Sequence, residues 1–341
     1  MGRRSLITGI TGQDGAYLAK HLLEKGNEVI GLFRRNSNST FWRLEELKIL
    51  EQISLVEYQI GDNQGISTIL SEQEIDEIYH LAGESYTQDS FKQPKYVLNT
   101  NINGVVDLLE ACKITATHAN IFIANSSEIF TSNPQNKSIL TVTEDSPKNP
   151  LNPYGISHLT NFHLVNLYRS IIPNKINLGI MFNHESPLRS KPFISKKISE
   201  GIAKLLKNSG EPIQLGNLNS TRDWGSAVEF VKAMSILNNS SQSSNFILAT
   251  GQARQVRDLL QMFSIAAGYQ PIFLGEGLEE KCICNLTGKV IAEINPKYFR
   301  KIELGGISGN ISKISNAINW KHSKPIEELI AEMLEYDLSK I

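Results

Sequence analysis

Ser5-Leu6-Ile7-Thr8-Gly9-Ile10-Thr11-Gly12-Gln13-Asp14-Gly15 is the stretch on which the fold turns. Its start is a short apolar run that ends in glycine, and two more glycines follow at three-residue spacing, a G-x-x-G-x-x-G pattern. Behind it, residues 15–24 place Leu18, Ala19, Leu22 and Leu23 on one helical face. Strand, glycine turn and helix in that order are what a bound pyrophosphate requires. The turn must be tight, the backbone must come close to the anion, and the N–H groups of a helix N-terminus must face it. Glycines also end strands for no functional reason. The place of this loop, between a strand and a helix near the amino terminus, favours dinucleotide binding over a bare turn.

Working outward, the pattern repeats. Residues 28–33 (EVIGLF), 77–81 (EIYHL), 120–124 (NIFIA) and 177–182 (NLGIMF) read as further strands, with helical stretches such as 104–112 and 157–168 between them. Alternation of this kind predicts an α/β fold, a doubly wound parallel sheet of the Rossmann type with helices on both faces. From about Asn183 the pattern loosens at Pro187, Pro192 and Pro212, and the polar run 238–245 (NNSSQSSN) reads as a surface turn. Helical stretches remain at 193–206 and 325–338. The expectation is a dinucleotide-binding domain over residues 1–182 and a smaller substrate-binding lobe over residues 183–341, with the chain crossing between them.

Composition excludes several classes. Hydrophobic residues at 40% and charged residues at 20% suit a soluble globular chain. A net charge of -1 gives no field for nucleic acid or an anionic membrane. The opening MGRRSLITGITG lacks the apolar core of a signal peptide, and no run approaches the ~20 apolar residues of a membrane span. Cys112, Cys282 and Cys284 are too few for a disulfide framework, and Cys282-Ile283-Cys284 lacks the second pair a zinc site needs. Buried thiols, no metal and a reducing cytoplasm are expected.

The end of the second strand selects the cofactor. An acid there would meet a ribose 2'-OH, whereas arginine would meet a 2'-phosphate. Here Phe33 leads into Arg34-Arg35-Asn36-Ser37 with no acid, which predicts NADP(H), although a solvated charged turn is the other reading. After the 120–124 strand, Asn125-Ser126-Ser127-Glu128 occupies the carboxyl end of a parallel strand, where such folds place reacting groups. Pro153-Tyr154-Gly155-Ile156-Ser157-His158 opens a helix further on. The hydroxyl of Ser126, the carboxylate of Glu128 and the phenol of Tyr154 form a candidate acid/base set. On the residues alone, a helix cap at Ser-Ser-Glu and a core tyrosine stay open as alternatives.

Larger blocks carry a more specific resemblance. ITGITGQDGAYLAKHLLEKG, RRNSNSTFWRLEEL, MFNHESP, LGNLNSTRDWG, GLEEK and INPKYFRKIEL together make the chain resemble the GDP-mannose 4,6-dehydratase family, of the extended short-chain dehydrogenase/reductases, over nearly its whole length. The resemblance implies NADP as cofactor, a GDP-sugar as substrate and a homotetramer as assembly. It implies that Gly9, Ile10, Thr11, Gly12, Gln13, Asp14 and Gly15 hold the pyrophosphate, with Arg34 beside Arg35 and Arg35 reading the 2'-phosphate. Asp62 and Asn63 stand at its adenine side. Leu81, Ala82 and Ser85 line the path to the nicotinamide, and His184 and Arg189 match cofactor contacts. Ser126 stands for a catalytic threonine, Glu128 for the base at the sugar C5, and Tyr154 for the base of the oxidation. Asn183, Lys197, Arg222, Tyr298, Arg300 and Glu303, with Ser85, match nucleotide-sugar positions.

The chain departs from the family pattern most at one place. The family's Tyr-x-x-x-Lys pair is Tyr154-x-x-x-His158 here. The resemblance gives the lysine two tasks, holding the nicotinamide ribose and lowering the tyrosine pKa. A unit charge ~4 Å away at an effective ε of ~20 is worth up to ~4 kcal/mol, or about three pKa units. His158, with an ordinary pKa near ~6.5, is mostly neutral at working pH. Two alternatives to dehydration of GDP-mannose therefore stay open here. One is a silent paralogue that keeps the NADP and GDP-sugar sites, and the other is a dehydratase for another GDP-sugar, such as a heptose. Smaller departures are Leu188 for an arginine, Thr131 for a glycine, and Gly83-Glu84 for Ala-Gln. The segment 36–43 keeps Ser37 and Arg43 of the stretch that reaches a neighbour's cofactor in the family, with Phe41-Trp42 at its tip.

Overall fold

A computed structural model describes residues 2–35, 41–130, 139–299 and 306–341. Seven parallel strands make the main sheet, in the order Asn245–Leu248, Ile176–Met181, Asn120–Ser126, Glu77–His80, Arg4–Thr8, Glu28–Phe33, Ile53–Glu57. The order reverses at Arg4–Thr8, which pairs in parallel with Glu28–Phe33 on one side and Glu77–His80 on the other. A ligand crevice in a doubly wound sheet opens at such a reversal, beyond the carboxyl ends of the strands. The glycine loop leaves the strand there.

Both faces of the sheet are covered, so its strands are apolar on both sides. One core layer holds Leu6, Ile30, Ile78, Val105, Leu108, Ile121 and Val165 under the helices Pro94–Thr115 and Pro153–Tyr168. The opposite layer holds Ile7, Leu18, Leu22, Val29, Phe122 and Phe230 under the helices Gln13–Glu24 and Ala227–Asn238. The strand Ile53–Glu57 was not among the strands expected from the sequence. It forms one edge of the sheet, and only Ile53 of its five residues is buried.

A second lobe packs around its own core of Ile198, Ile202, Trp224, Leu260, Phe263, Ile330 and Met333. Its four-stranded sheet carries Cys282 and Cys284, which are buried free thiols, as is Cys112. A three-stranded sheet, Ala253–Gln255, Thr221–Ser226 and Asn183–Glu185, lies where the chain leaves the main sheet. The chain returns from this region to add both Ala227–Asn238 and Asn245–Leu248 to the main layer structure. Residues 239–244 form a polar turn, whereas Asn238, expected in it, is buried at the end of the helix Ala227–Asn238 and Asn245 begins a strand. Among the described residues no helix is long and apolar enough to cross a membrane, and no cluster of three or more His, Cys, Asp or Glu is placed to hold a metal.

Candidate active site

The glycine loop is shaped by contacts that no side chain could share. Gly9 has φ +74°, and a Cβ on it would lie 2.8 Å from the amide nitrogen of Ala82. A Cβ on Gly15 would lie 2.3 Å from the carbonyl oxygen of Gly9. Strand end and helix start are thus clamped together, and a Cβ on Gly12 would meet only Gly9 O, at 3.2 Å. That leaves the Gly12 face open to an anion at the N-terminus of Gln13–Glu24. Ile10 is fully buried because Gly31, in the neighbouring strand, leaves room for it; a Cβ there would sit 2.6 Å from Ile10 Cγ1.

Asp14 and His184 join this loop to the strand Asn183–Glu185. His184 Nε2 lies 2.8 Å from Asp14 Oδ2, and its Nδ1 donates to Phe182 O at 2.7 Å. Burial opposes the charge on His184, but Asp14 outweighs it and the imidazole pKa is raised. Gln13 donates to His184 O at 3.1 Å and accepts from Ser186 at 2.7 Å. Arg43, which ends the segment 36–43, braces this loop. It is buried within its own chain, donating to Thr11 O at 3.0 Å, Leu188 O at 2.9 Å and Ser190 Oγ at 2.8 Å. Leu188 contributes its backbone to that brace while its side chain is buried.

Two cavities meet over the loop. The first, about 330 Å³, is lined by Gly9, Thr11, Arg34, Tyr58, Gln59, Ile60, Glu84, Tyr96, Asn99 and Asn103 among others. Arg34 donates to Tyr96 Oη at 2.6 Å, and Tyr96 donates to Glu84 at 3.1 Å. Arg35, the expected reader of the 2'-phosphate, is exposed and is not among the residues lining this cavity, where Arg34 stands; Ser37 lies outside the described residues. Asp62 accepts from Gly65 N at 2.8 Å and caps the helix Asn63–Glu72, so Tyr58, Gln59 and Ile60 line the cavity in that region instead.

The second cavity, about 270 Å³, gathers Gly12 to Gly15, Leu81, Ala82, Ser85, Ser126, Glu128, Tyr154, His158, Asn183, His184 and Arg189. The expected acid/base residues thus converge from segments up to 28 positions apart. Asn152 positions two of them. It caps the helix Pro153–Tyr168 by accepting from Gly155 N at 2.7 Å, and its Nδ2 donates to Glu128 Oε2 at 2.9 Å. An Asn immediately before Pro-Tyr was the available sign of this cap. Asn125 donates to His158 O at 2.8 Å, tying the same helix to the strand end. Ser126 Oγ accepts from Glu128 N at 3.2 Å.

The titrating groups are strongly placed. Burial pushes the Tyr154 phenol up to about 12, and a hydrogen bond with Ser126 and the charge of Arg189 only partly oppose this. Burial pushes His158 down to about 3, with His80 adding to the effect, so the imidazole is neutral. Its ring meets that of Tyr154 edge to face, with centroids 4.4 Å apart. Arg189 pairs with Glu185 at 3.0 Å and lies 3.5 Å over the ring of Phe193.

The remaining substrate-side candidates are further out. Lys197 Nζ sits 4.0 Å over the ring of Tyr298, and burial lowers its pKa. Arg222 donates to Thr221 O at 2.7 Å. Arg300, Glu303 and Thr131 lie outside the described residues.

A profile of the family described as GDP-mannose 4,6 dehydratase matches residues 6–333. The chain belongs to the GDP-mannose 4,6-dehydratase family. GDP-mannose 4,6-dehydratase of Sinorhizobium fredii is 34% identical over 98% of this chain and 96% of its own length. The human GDP-mannose 4,6 dehydratase is 33% identical over 98% of this chain and 91% of its own. Among solved structures, a UDP-glucose 4-epimerase of Thermotoga maritima with UDP-glucose superposes at TM-score 0.82, with 19% identity and 99% of both chains covered. RMD of Pseudomonas aeruginosa, solved with NADPH, superposes at 0.76 with 17% identity over 99% of both chains. These two likenesses establish the fold, an α/β architecture with a parallel sheet between layers of helices.

Proposed function

We propose that this chain converts GDP-mannose to GDP-4-keto-6-deoxymannose with loss of water, using NADP(H) in the two joined cavities. The observation that carries the reading is the meeting of Ser126, Glu128 and Tyr154 in one cavity with the glycine loop, in a chain of this family. The loop fits a dinucleotide: its open Gly12 face and helix N-terminus suit the pyrophosphate, and Arg34 lines the adjoining cavity for the adenosine 2'-phosphate. Bound NADP(H) would supply the hydride chemistry of the reaction, held by the residues Gly9 to Gly15 with Arg34, His184 and Arg189.

The chain's own groups move the protons. Tyr154 takes the O4 proton as C4 becomes a ketone, with Ser126 beside it. The ketone acidifies the C5 hydrogen, which Glu128 removes while Asn152 holds its carboxylate at 2.9 Å. Water then leaves from C6, carrying off the proton that Glu128 took from C5, and C5 regains a proton from Tyr154 as C6 is reduced, so both groups end as they began. Lys197 and Arg222 supply positive charge for the diphosphate, with Tyr298 packed beneath Lys197. Arg300 and Glu303 complete the nucleotide set in this reading. The silent-paralogue alternative has no support in the comparisons, in which relatives matched across the whole chain are named as dehydratases. A homotetramer in the cytoplasm completes the proposal.

The test is Glu128→Gln with GDP-mannose and NADP+. The amide keeps the shape and cannot take the C5 proton. Bound NADPH absorbance is expected to accumulate with no 4-keto-6-deoxy product. Product formation at the unmodified rate would remove Glu128 from the mechanism.

A further inference from the structure

His80 lies beneath the glycine loop, 3% exposed, and its tautomer can be worked out from its neighbours. Its Nδ1 is 3.0 Å from Thr8 Oγ1. That hydroxyl oxygen already accepts from the backbone N–H of Leu81 and of Ala82, each at 3.1 Å. Two donors fill its two lone pairs, so its own hydrogen points to His80 Nδ1. The ring proton of His80 is therefore on Nε2. This Nε2–H is buried and has no partner among the described residues.

Two acceptors in the same cavity have the complementary need. Asn161 is 2% exposed, and its Nδ2 donates to Asn101 O at 3.0 Å, so its amide orientation is set and its Oδ1 is left buried without a partner. His158 Nδ1 is likewise buried and unpartnered among the described residues. His158 and Asn161 are three residues apart on one helix and so share a face. All three residues line the cavity of the glycine loop. Burial without a hydrogen bond is costly for each such group, and buried polar groups in native proteins are almost always satisfied by protein or by internal water.

We propose that one internal water accepts from His80 Nε2–H and donates to His158 Nδ1 and Asn161 Oδ1. One acceptance and two donations match the three orphaned atoms. The arrangement fixes His158 as the Nε2–H tautomer. Its Nδ1 edge faces the water, and the opposite edge presents a permanent N–H donor to the cavity beside Tyr154. His80 and Asn161 are then positioning residues: they act through the water on His158, which would hold a ribose hydroxyl of the bound dinucleotide without any charge. The role toward the ribose rests on the reading under Proposed function, whereas the tautomer does not.

The experiment separates the two. In full-length protein labelled with ¹⁵N at histidine, long-range ¹H–¹⁵N spectra report each tautomer. The unmodified protein is expected to show His158 and His80 both as fixed Nε2–H forms. His80→Phe removes the donor that orients the water, and His158 is then expected to average between its two tautomers. Asn161→Ala provides the same readout through the other partner, should the first variant fold poorly. Dinucleotide affinity, measured by calorimetry with NADPH alone, is expected to fall about fivefold to tenfold in either variant, the scale of one neutral hydrogen bond. Nδ1–H at His158 in the unmodified protein, or an unchanged tautomer in both variants, would overturn the water. Altered tautomers with unchanged NADPH affinity would leave the water in place and overturn only the ribose contact.

Discussion

His80 and His158 enter the folded protein uncharged, and acid must expose that. Burial holds them at about 4 and about 3, against an unfolded value of ~6.5. A depressed pKa contributes stability that is fully present above the unfolded pKa and is lost as pH falls toward the folded one. Between pH ~6.5 and ~4 the unfolded chain binds two protons that the folded chain refuses, at a cost of about 3 kcal/mol each. Urea melts from pH 7 to 4 should show this slope, roughly halved in His158→Gln; a flat profile in the unmodified protein would mean the rings are not buried neutral. The same neutrality governs Tyr154. Its phenol, held up to about 12, offers little base at neutral pH, so single-turnover NADPH formation should climb steadily from pH 6 to 9. His158→Lys should move that climb to lower pH. A pH-independent rate in the unmodified protein would show that the proton leaves by another route.

At the scale of elements, Arg43 braces the cofactor loop against the chain that faces it. Its three donors reach Thr11, Leu188 and Ser190, and burial lowers its pKa only to about 10, so it stays charged. Arg43→Met should cost about 2–4 kcal/mol, by removing bonds to buried acceptors, and should weaken NADPH binding. Arg43→Lys should recover little of this, because an ammonium lacks the planar fork. Unchanged melting temperature and affinity in both variants would exclude the brace. The glycine loop itself was legible in the sequence, since spacing, strand and helix all lie within twenty residues. Ser126, Glu128 and Tyr154 were legible too, as groups at a strand end and a helix start. Arg43 was not, because its partners lie 32, 145 and 147 positions away. The strand Ile53–Glu57 was not, because an edge strand with one buried residue carries too little apolar contrast. The water-linked triad depends on a tautomer argument spanning Thr8 to Asn161, which periodicity cannot contain.

At the scale of the whole molecule, the proposed function puts the guanine-nucleotide side on the second lobe. GDP should raise the melting temperature more than UDP or TDP at equal concentration, through binding to the folded state alone. Equal shifts for the three would count against a GDP-sugar site. The loosening of the strand–helix pattern after Asn183 was visible in the sequence, but the return of the chain to the main sheet was expected only in outline. That return has a consequence during synthesis. Asn245–Leu248 pairs with Ile176–Met181, whose outer side is otherwise the open edge of the sheet. At about 5–20 residues per second, a ribosome needs roughly 3–13 seconds to make the intervening chain. For that interval the nascent protein carries an unpaired, mostly apolar parallel edge, the kind of surface that recruits other chains. Conditions that slow translation between these strands should therefore lower soluble yield out of proportion to any effect on the finished protein.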